Sequence, residues 1–186
     1  FSDFVRRVDM RRGVLERSFV WEATSGKQLR LTFERFLSMT DHRVGAQRIR
    51  FEPLNFSGNV DLTFGLDFGT LYQLRNTRPW QVLHREHADG WTAALGQTRS
   101  SGHRLFAAFR LNVDGQPFTQ DRLTGRTLEL SLQEGQARTV ERLAVFHAEK
   151  DSTLPDEMVW QAGQRECATR GNLTFDVAEQ AHVGYW

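Results

Sequence analysis

The sequence predicts a mainly β fold, an antiparallel β-sandwich with helices at its C-terminal end. Apolar and polar residues alternate with a period of two through most of residues 1–150, which is the pattern of half-buried strands. The alternating runs end at turn signals, of which Asp89-Gly90 and Asp114-Gly115 are the clearest. After Lys150 the apolar spacing becomes helical. We therefore expect a β-sandwich domain at residues 1–150 and a helical segment at residues 151–186.

The first predicted elements form a hairpin. A short strand from Val5 to Asp9 precedes a strand from Val14 to Glu22, and the chain turns at Thr24 to Lys27. Leu29, Leu31 and Phe33 then share one face of the next strand. We expect the acidic residues of this region to pair with Arg17 and Arg35 across the hairpin; they are Asp9, Glu16 and Glu34.

The middle of the chain contains the most regular alternation. After a strand from Val44 to Glu52, five apolar residues alternate with polar ones between Val60 and Phe68. This pattern predicts a strand with one buried face. Two further runs, Trp80 to Glu86 and Trp91 to Leu95, flank Asp89-Gly90 and predict a second hairpin. Three more strands are predicted around His103 to Val113, Leu128 to Leu132 and Val140 to Phe146.

Two helices are predicted at the end of the chain. Thr153-Leu154-Pro155-Asp156 has the composition of a helix start, with Thr153 as the capping hydroxyl and proline in the first turn. Gly171-Asn172 is a stop signal. The second helix runs on to Trp186, and the four-residue spacing of Val177, Ala181 and Tyr185 predicts its apolar face.

Composition limits the classes of function. The 24 basic and 23 acidic residues alternate along the chain, which argues against a nucleic-acid partner. The sequence has no uninterrupted apolar run of about 18 residues, so no membrane-spanning helix is expected. Cys167 is the only cysteine, which excludes an internal disulfide and favours the cytoplasm. The chain opens at Phe1 with neither an initiator methionine nor a basic leader, so we expect a fragment or a trimmed product.

The opening hairpin resembles a known family. Asp9 to Val20 reads DMRRGVLERSFV, and Arg35 to Ser38 reads RFLS. This wording resembles the N-terminal domain of glycoside hydrolase family 65, the family of maltose, trehalose and kojibiose phosphorylases and related hydrolases. The segments from Trp80 to Leu83, Ser101 to His103 and Ala178 to Trp186 agree with that family in the same order.

The resemblance implies a β-sandwich of the galactose mutarotase type that precedes an (α/α)6 catalytic barrel. The catalytic carboxylates would lie in that barrel, outside this chain, and inorganic phosphate would be the co-substrate of a phosphorylase. No catalytic residue and no cofactor are therefore expected here. Family members carry sandwich residues upstream of the position of Phe1, so the resemblance implies a sandwich that is incomplete at its N-terminal side. An open sheet edge would then favour a homodimer.

Trp80, Trp91 and His84 are the candidates for a substrate rim. Trp80 and Trp91 border a polar loop (residues 71–80) and a hairpin, and aromatic rings can stack on sugars, although most large aromatic side chains are packed. We expect packing for the other tryptophans, which are Trp21, Trp160 and Trp186.

Other catalytic constellations are not favoured. Asp61 and Asp67 are six residues apart on one strand, about 20 Å, which exceeds the spacing of glycosidase acid pairs. The scattered histidines predict no metal site. Two alternatives remain open. One is a free-standing carbohydrate-binding sandwich, and the other is an aldose 1-epimerase, for which His84, His103 or His147 would be the histidine.

Overall fold

A computed structural model describes residues 1–72, 74, 76–118 and 126–185. Within these residues the chain forms eleven strands and two helices. In chain order they are β1 (Ser2–Asp9), β2 (Val14–Glu22), β3 (Gln28–Leu37), β4 (Val44–Pro53), β5 (Gly58–Phe64), β6 (Trp80–Ala88), β7 (Trp91–Thr98), β8 (Arg104–Val113), β9 (Gln116–Phe118), β10 (Arg126–Leu132), β11 (Arg138–Glu149), α1 (Asp156–Thr169) and α2 (Phe175–Gly184).

Nine strands form one large antiparallel sheet. Eight of them lie in the order β1-β2-β3-β4-β11-β8-β7-β6, and β9 pairs with β8 beside this path. The other two strands, β5 and β10, form a second sheet. The predicted antiparallel β-sandwich with C-terminal helices is confirmed, with a second sheet of two strands in the described part of the chain.

The main core lies between the two sheets. Phe109 and Leu111 of the large sheet are 0% and 1% exposed, and they pack in one cluster with Leu128, Leu130 and Leu132 of β10. We call this side of the large sheet the sandwich face. Because successive side chains of a strand point to opposite sides, the residues between those of the cluster point to the other side, which we call the helix face.

The helix face is covered by α1 and α2. Val159 and Trp160 of α1 pack with Phe106 of β8, and Phe175 of α2 packs with Phe36 of β3. Gly163 of α1 lies so close to the Phe106 ring that a Cβ atom there would be 2.1 Å from Cγ. Helix and sheet therefore approach at a distance that only glycine permits.

The predicted turns are confirmed. Asp89 and Gly90 have φ values of 51° and 79°, and Asp114 and Gly115 have values of 48° and 79°. Positive φ at both central residues is the geometry of a type I′ hairpin turn. The second strand has the predicted bounds, Val14–Glu22, so turn chemistry and period together located this part of the sheet.

Several local predictions are wrong. The strand predicted from Val60 to Phe68 ends its pairing at Phe64, although Phe68 is still buried. Thr153 does not cap α1, because its hydroxyl donates to Asp151 and the N-cap residue is Pro155.

Two apolar predictions also fail. Trp21 lies on the sandwich face but is 40% exposed. In α2 the buried residues are Phe175, Ala178 and His182, so the predicted apolar face is turned to solvent: Val177, Ala181 and Tyr185 are exposed. Trp186, the last predicted residue of this helix, lies outside the described residues.

The predicted hairpin ion pairs are replaced by others. Glu16 accepts from Arg7 at 2.9 Å, and Glu34 accepts from Arg12 at 3.3 Å. Both acids lie on the helix face, whereas Arg17 and Arg35 lie on the sandwich face, so those arginines cannot reach them. The Asp9 carboxylate instead accepts backbone N–H groups of the following turn.

Candidate functional site

A cleft of about 630 Å³ lies between α1 and the β6–β7 hairpin. We call it the α1 cleft. A second cavity of about 470 Å³ adjoins it and shares Glu86, Trp160 and Gln164 as lining residues. Both volumes lie in the range of small-molecule sites. The walls of the α1 cleft combine aromatic rings with amide and charged groups, so this cleft has the composition of a site for a polar ligand.

Strand and helix periodicity bring the cleft residues together. Trp91, Ala93 and Leu95 alternate along β7 toward the helix face. On α1, Trp160, Gln164 and Cys167 share one side because residues three and four apart are neighbours on a helix. The apolar residues form the floor, and Gln161, Gln164 and Arg165 supply polar groups.

Arg110 supports the floor of the cleft. Its guanidinium lies 5.2 Å from the centre of the Trp91 ring and donates to the backbone carbonyls of Gly171 and Leu173. These bonds hold the connection between α1 and α2. Burial lowers the pKa of Arg110, which marks a cation held in an apolar setting.

The single cysteine, Cys167, lines the cleft but does not act as a nucleophile. Cys167 is 6% exposed, and burial raises the pKa of its thiol to about 12. The thiolate is the reactive form of cysteine. At neutral pH the Cys167 thiol is therefore protonated and chemically inert.

The structure places one of the three predicted rim residues in this cleft and a second in the adjoining cavity. Trp91 lies in its floor and is 8% exposed. His84 lies in the adjoining cavity with its ring edge-to-face on Trp160, 4.4 Å between centroids. The buried Trp91 ring is packed, so the face that sugar stacking needs is covered, while His84 is at the rim.

Trp80 lies elsewhere. A register shift between Val82 and His84 interrupts β6, and such a bulge changes the side to which the following residues point. Trp80 therefore faces the sandwich side, where its ring packs against Phe68 with 5.5 Å between centroids. The three predicted rim residues do not form one site. The polar loop before Trp80 includes residues 73 and 75, which lie outside the described residues.

The two acids singled out in the sequence, Asp61 and Asp67, are not placed as a glycosidase pair. Asp61 lies on the exposed side of β5, and the Asp67 carboxylate accepts from the N–H of Gly69 and the hydroxyl of Thr70. An aldose epimerase needs an acid and a base on either side of a sugar. His84 and Glu86 instead approach each other, with 3.9 Å between Nε2 and Oε2, leaving no gap for a ring.

Among residues 1–72, 74, 76–118 and 126–185, no group of three or more His, Cys, Asp or Glu side chains could hold a metal ion. In the same part of the chain, neither helix combines the length and the apolar character needed to cross a bilayer.

The sequence did not predict the polar residues of the α1 cleft. Gln161, Gln164 and Arg165 lie on α1 beside the buried Trp160. The sequence feature that could have indicated them is the helical spacing of two amide side chains beside a tryptophan. That signal is weak because amides on a helix are usually solvated.

Comparison with known proteins gives related sequences. An uncharacterized glycosyl hydrolase of Mycobacterium tuberculosis (strain H37Rv) is 29% identical over 96% of this chain, which is 14% of its own length. A kojibiose phosphorylase of Halothermothrix orenii is 24% identical over 82% of this chain and 20% of its own. An alpha,alpha-trehalose phosphorylase of Thermoanaerobacter brockii is 30% identical over 34% of this chain. This chain therefore spans a fifth or less of these relatives' length.

Comparison with solved structures gives the same architecture. A protein described as "Putative kojibiose phosphorylase from human microbiome" superposes with a TM-score of 0.85 at 18% identity, over 99% of this chain and 24% of that one. This match shows the fold. The sequence profile of the glycosyl hydrolase family 65 N-terminal domain matches residues 1–186. The chain therefore belongs to the N-terminal domain family of glycosyl hydrolase family 65.

Proposed function

We propose that this chain is the non-catalytic N-terminal module of a larger carbohydrate-active enzyme. The observation that carries the proposal is the match of the whole chain to a domain that makes up 14 to 24% of the length of several longer relatives. The acidic residues also support this proposal, since none of those singled out in the sequence is paired with a second acid as in a glycosidase active site. Its role would be to brace a catalytic domain.

The longer protein would act on α-glucosides. The names of two relatives, an alpha,alpha-trehalose phosphorylase and a kojibiose phosphorylase, support a disaccharide as substrate and inorganic phosphate as co-substrate. The catalytic acid would then belong to an (α/α)6 barrel beyond residues 151–186. Within the proposal, residues 1–150 are the sandwich domain and residues 151–186 lead toward the barrel.

The bracing role has physical support at α2. Val177 and Tyr185 are 54% and 58% exposed, and they lie with Ala181 on one side of the last helix before the C-terminal end. Exposed apolar groups that line up on one helix face are typical of a contact surface. We propose that the catalytic domain packs on this face.

Homodimerisation is proposed through β1, an edge strand of the large sheet. Phe4 and Val8 are 57% and 55% exposed on this strand, and an exposed edge offers unpaired backbone groups. Sedimentation velocity across a range of concentrations tests this proposal. Dimers that Val8→Lys converts to monomers would support it, and a monomer up to about 100 μM, where weak dimers form, would contradict it. We also propose a cytoplasmic location, supported by the free thiol of Cys167.

A carbohydrate-binding module is the second candidate. The volume of the α1 cleft and the amides of Gln161 and Gln164 favour it. Calorimetric titration with maltose, trehalose and kojibiose separates the candidates. The bracing role predicts no binding by the chain alone. Binding that Gln164→Ala abolishes, while Trp80→Ala on the other face leaves it intact, would replace the first proposal with the second.

An epimerase would be revealed by polarimetry. The contact between His84 and Glu86 predicts that fresh α-glucose mutarotates at the uncatalysed rate in the presence of the chain. Faster rotation that His84→Ala removes would contradict the non-catalytic role.

A further inference from the structure

A groove on the sandwich face is lined by arginines. Two adjoining cavities of about 430 and 570 Å³ share Leu15, Arg35 and Gln47 as lining residues. The first also contains Arg6 and Arg17, and the second contains Arg142. We call the two cavities together the arginine groove. It crosses β1, β2, β3, β4 and β11, on the side opposite the helices and apart from the α1 cleft.

The sheet register places these side chains beside one another. Arg6 is directly opposite Arg17. Arg35 is opposite Gln47, which in turn is opposite Arg142 on β11. Strands lie about 4.8 Å apart, so Arg35 and Arg142 are separated by about 10 Å with an amide between them. That spacing lets two guanidinium groups reach one small anion.

The charge of the groove is not balanced by acids. The acidic residues in the middle of β2, β3 and β11, which are Glu16, Glu34 and Glu141, point to the helix face, where each is already paired. Glu16 pairs with Arg7, Glu34 with Arg12, and Glu141 with Arg48. Among the residues that the structure describes, no carboxylate forms an ion pair with any of the four groove arginines. Like charges directly across a strand pair are destabilising.

Packing against aromatic rings holds two of the four guanidinium groups, those of Arg17 and Arg142, in the groove despite this repulsion. Arg17 lies over two rings, 5.4 Å from the Phe4 centroid and 5.0 Å from the Phe19 centroid. Arg142 lies 5.9 Å from the Phe109 centroid, and burial lowers its pKa. A partly desolvated cation without a counter-ion attracts an anion more strongly than a solvated one does.

We propose that the arginine groove binds a small phosphate-bearing anion, with the phosphate between Arg35 and Arg142. Arginine forks recognise phosphate through paired N–H donors. Phe33 and Leu15 line the same groove and could contact an apolar body attached to the phosphate. The groove has the volume of a small-molecule site. This inference needs neither a barrel nor turnover. Phe4 and Val8 of the proposed dimer contact also line the groove, so the titration uses a concentration at which the chain is monomeric.

Calorimetric titration of the 186-residue chain tests the site. The probes are inorganic phosphate and glucose 1-phosphate, with maltose as a neutral sugar and a hexaglutamate peptide as a carboxylate source. We expect either phosphate compound to bind with a dissociation constant below about 1 mM, as charge-assisted pairs allow. Tighter binding of the ester would identify a phosphorylated sugar as the ligand, and equal binding would identify phosphate itself.

Three variants make the test specific. Arg35→Gln and Arg142→Gln should each weaken phosphate binding by about 10-fold or more, since one charge-assisted contact is lost. Arg50→Gln is the matched control, because Arg50 lies exposed on β4 between groove strands but points to the helix face. It removes the same charge and should leave binding unchanged.

Thermal unfolding gives an independent readout. Phosphate should raise the melting temperature of the natural chain and of Arg50→Gln, and should raise that of Arg142→Gln by clearly less. No binding of either phosphate compound at 10 mM, about ten times the expected limit, would overturn the proposal. So would equal weakening in Arg50→Gln, or binding confined to maltose or the peptide.

Discussion

Replacing Gly163 by alanine tests the contact between α1 and the sheet. The added Cβ would lie 2.1 to 2.4 Å from three atoms of the Phe106 ring, whereas carbon atoms in contact are about 3.5 Å or more apart. Phe106 is 0% exposed and packs edge-to-face on Trp160, with 5.0 Å between centroids. Moving the ring away from the added methyl group would therefore disturb its contact with Trp160.

The magnitude follows from two opposing terms. In an exposed helix, Gly→Ala stabilises by about 1 kcal/mol. Overpacking of a filled core costs about 1–3 kcal/mol and sometimes more, and the overlap at Gly163 involves three ring atoms of a fully buried side chain. With the overpacking cost at about 3 kcal/mol, the upper end of that range, we expect a net loss of about 2 kcal/mol. This corresponds to a fall of about 4–8 °C in melting temperature for a chain of this size.

Circular dichroism during thermal unfolding measures the shift. Gly184→Ala is the matched control, because this helical glycine has nothing within 4 Å of its Cβ position; it should leave the melting temperature unchanged or raise it. Combining Gly163→Ala with Phe106→Leu should cost less than the sum of the single changes, since the smaller side chain relieves the overlap. If Gly163→Ala stabilised the chain like Gly184→Ala, the described packing of α1 on β8 would be refuted.

Three further predictions concern Arg104, Asp41 and Cys167. Arg104 is 3% exposed and donates to Asp156 and to the carbonyls of Asp151 and Leu154, so Arg104→Met should lower the unfolding free energy by about 2–4 kcal/mol in urea titration; a loss below about 0.5 kcal/mol, typical of surface sites, would contradict it. The Arg170 guanidinium lowers the pKa of Asp41, so the ion pair stabilises the fold above about pH 4 and stops doing so as pH falls. Asp41→Asn should therefore reduce the unfolding free energy at pH 7 and make its decline toward pH 3 less steep. An unchanged decline in acid would exclude this pair as a cause. Cys167, with a pKa of about 12, should react with a disulfide reagent at pH 8 at least about 100-fold more slowly when folded than in guanidinium chloride, and equal rates would show that the thiol is accessible.

Strand positions could be predicted because local chemistry determines them. Asp89-Gly90 supplies two residues that tolerate positive φ, and this requirement acts within the dipeptide itself. The period of two likewise identified Val14–Glu22 as one strand. Both signals depend on neighbouring residues alone, so they needed no knowledge of the rest of the fold.

The covered sides could not be predicted, because coverage depends on distant elements. Alternation groups Trp21 with Phe19, but only Phe19 lies under other side chains, and Trp21 is 40% exposed. In α2 the four-residue spacing of Val177 and Ala181 is the same as that of Ala178 and His182, and the sheet buries the second pair. A local pattern identifies two possible faces of an element but does not determine which of them is buried.

The candidate site was predicted only in part for the same reason. His84 and Trp91 meet near α1, whereas the bulge in β6 turns Trp80 to the opposite face. Residues 80, 82 and 84 alternate regularly in the sequence, and no glycine or proline among them marks the bulge. The cleft also needs α1, which is about 70 residues away along the chain from Trp91.

The most direct test of the supporting role is turnover by the 186-residue chain itself. Maltose, trehalose and kojibiose would each be incubated with a high concentration of the purified chain, with and without inorganic phosphate, and glucose and glucose 1-phosphate would be measured over time. The account predicts no release above the protein-free rate. Steady release of either product that disappears on Glu86→Gln, in the α1 cleft, would contradict it.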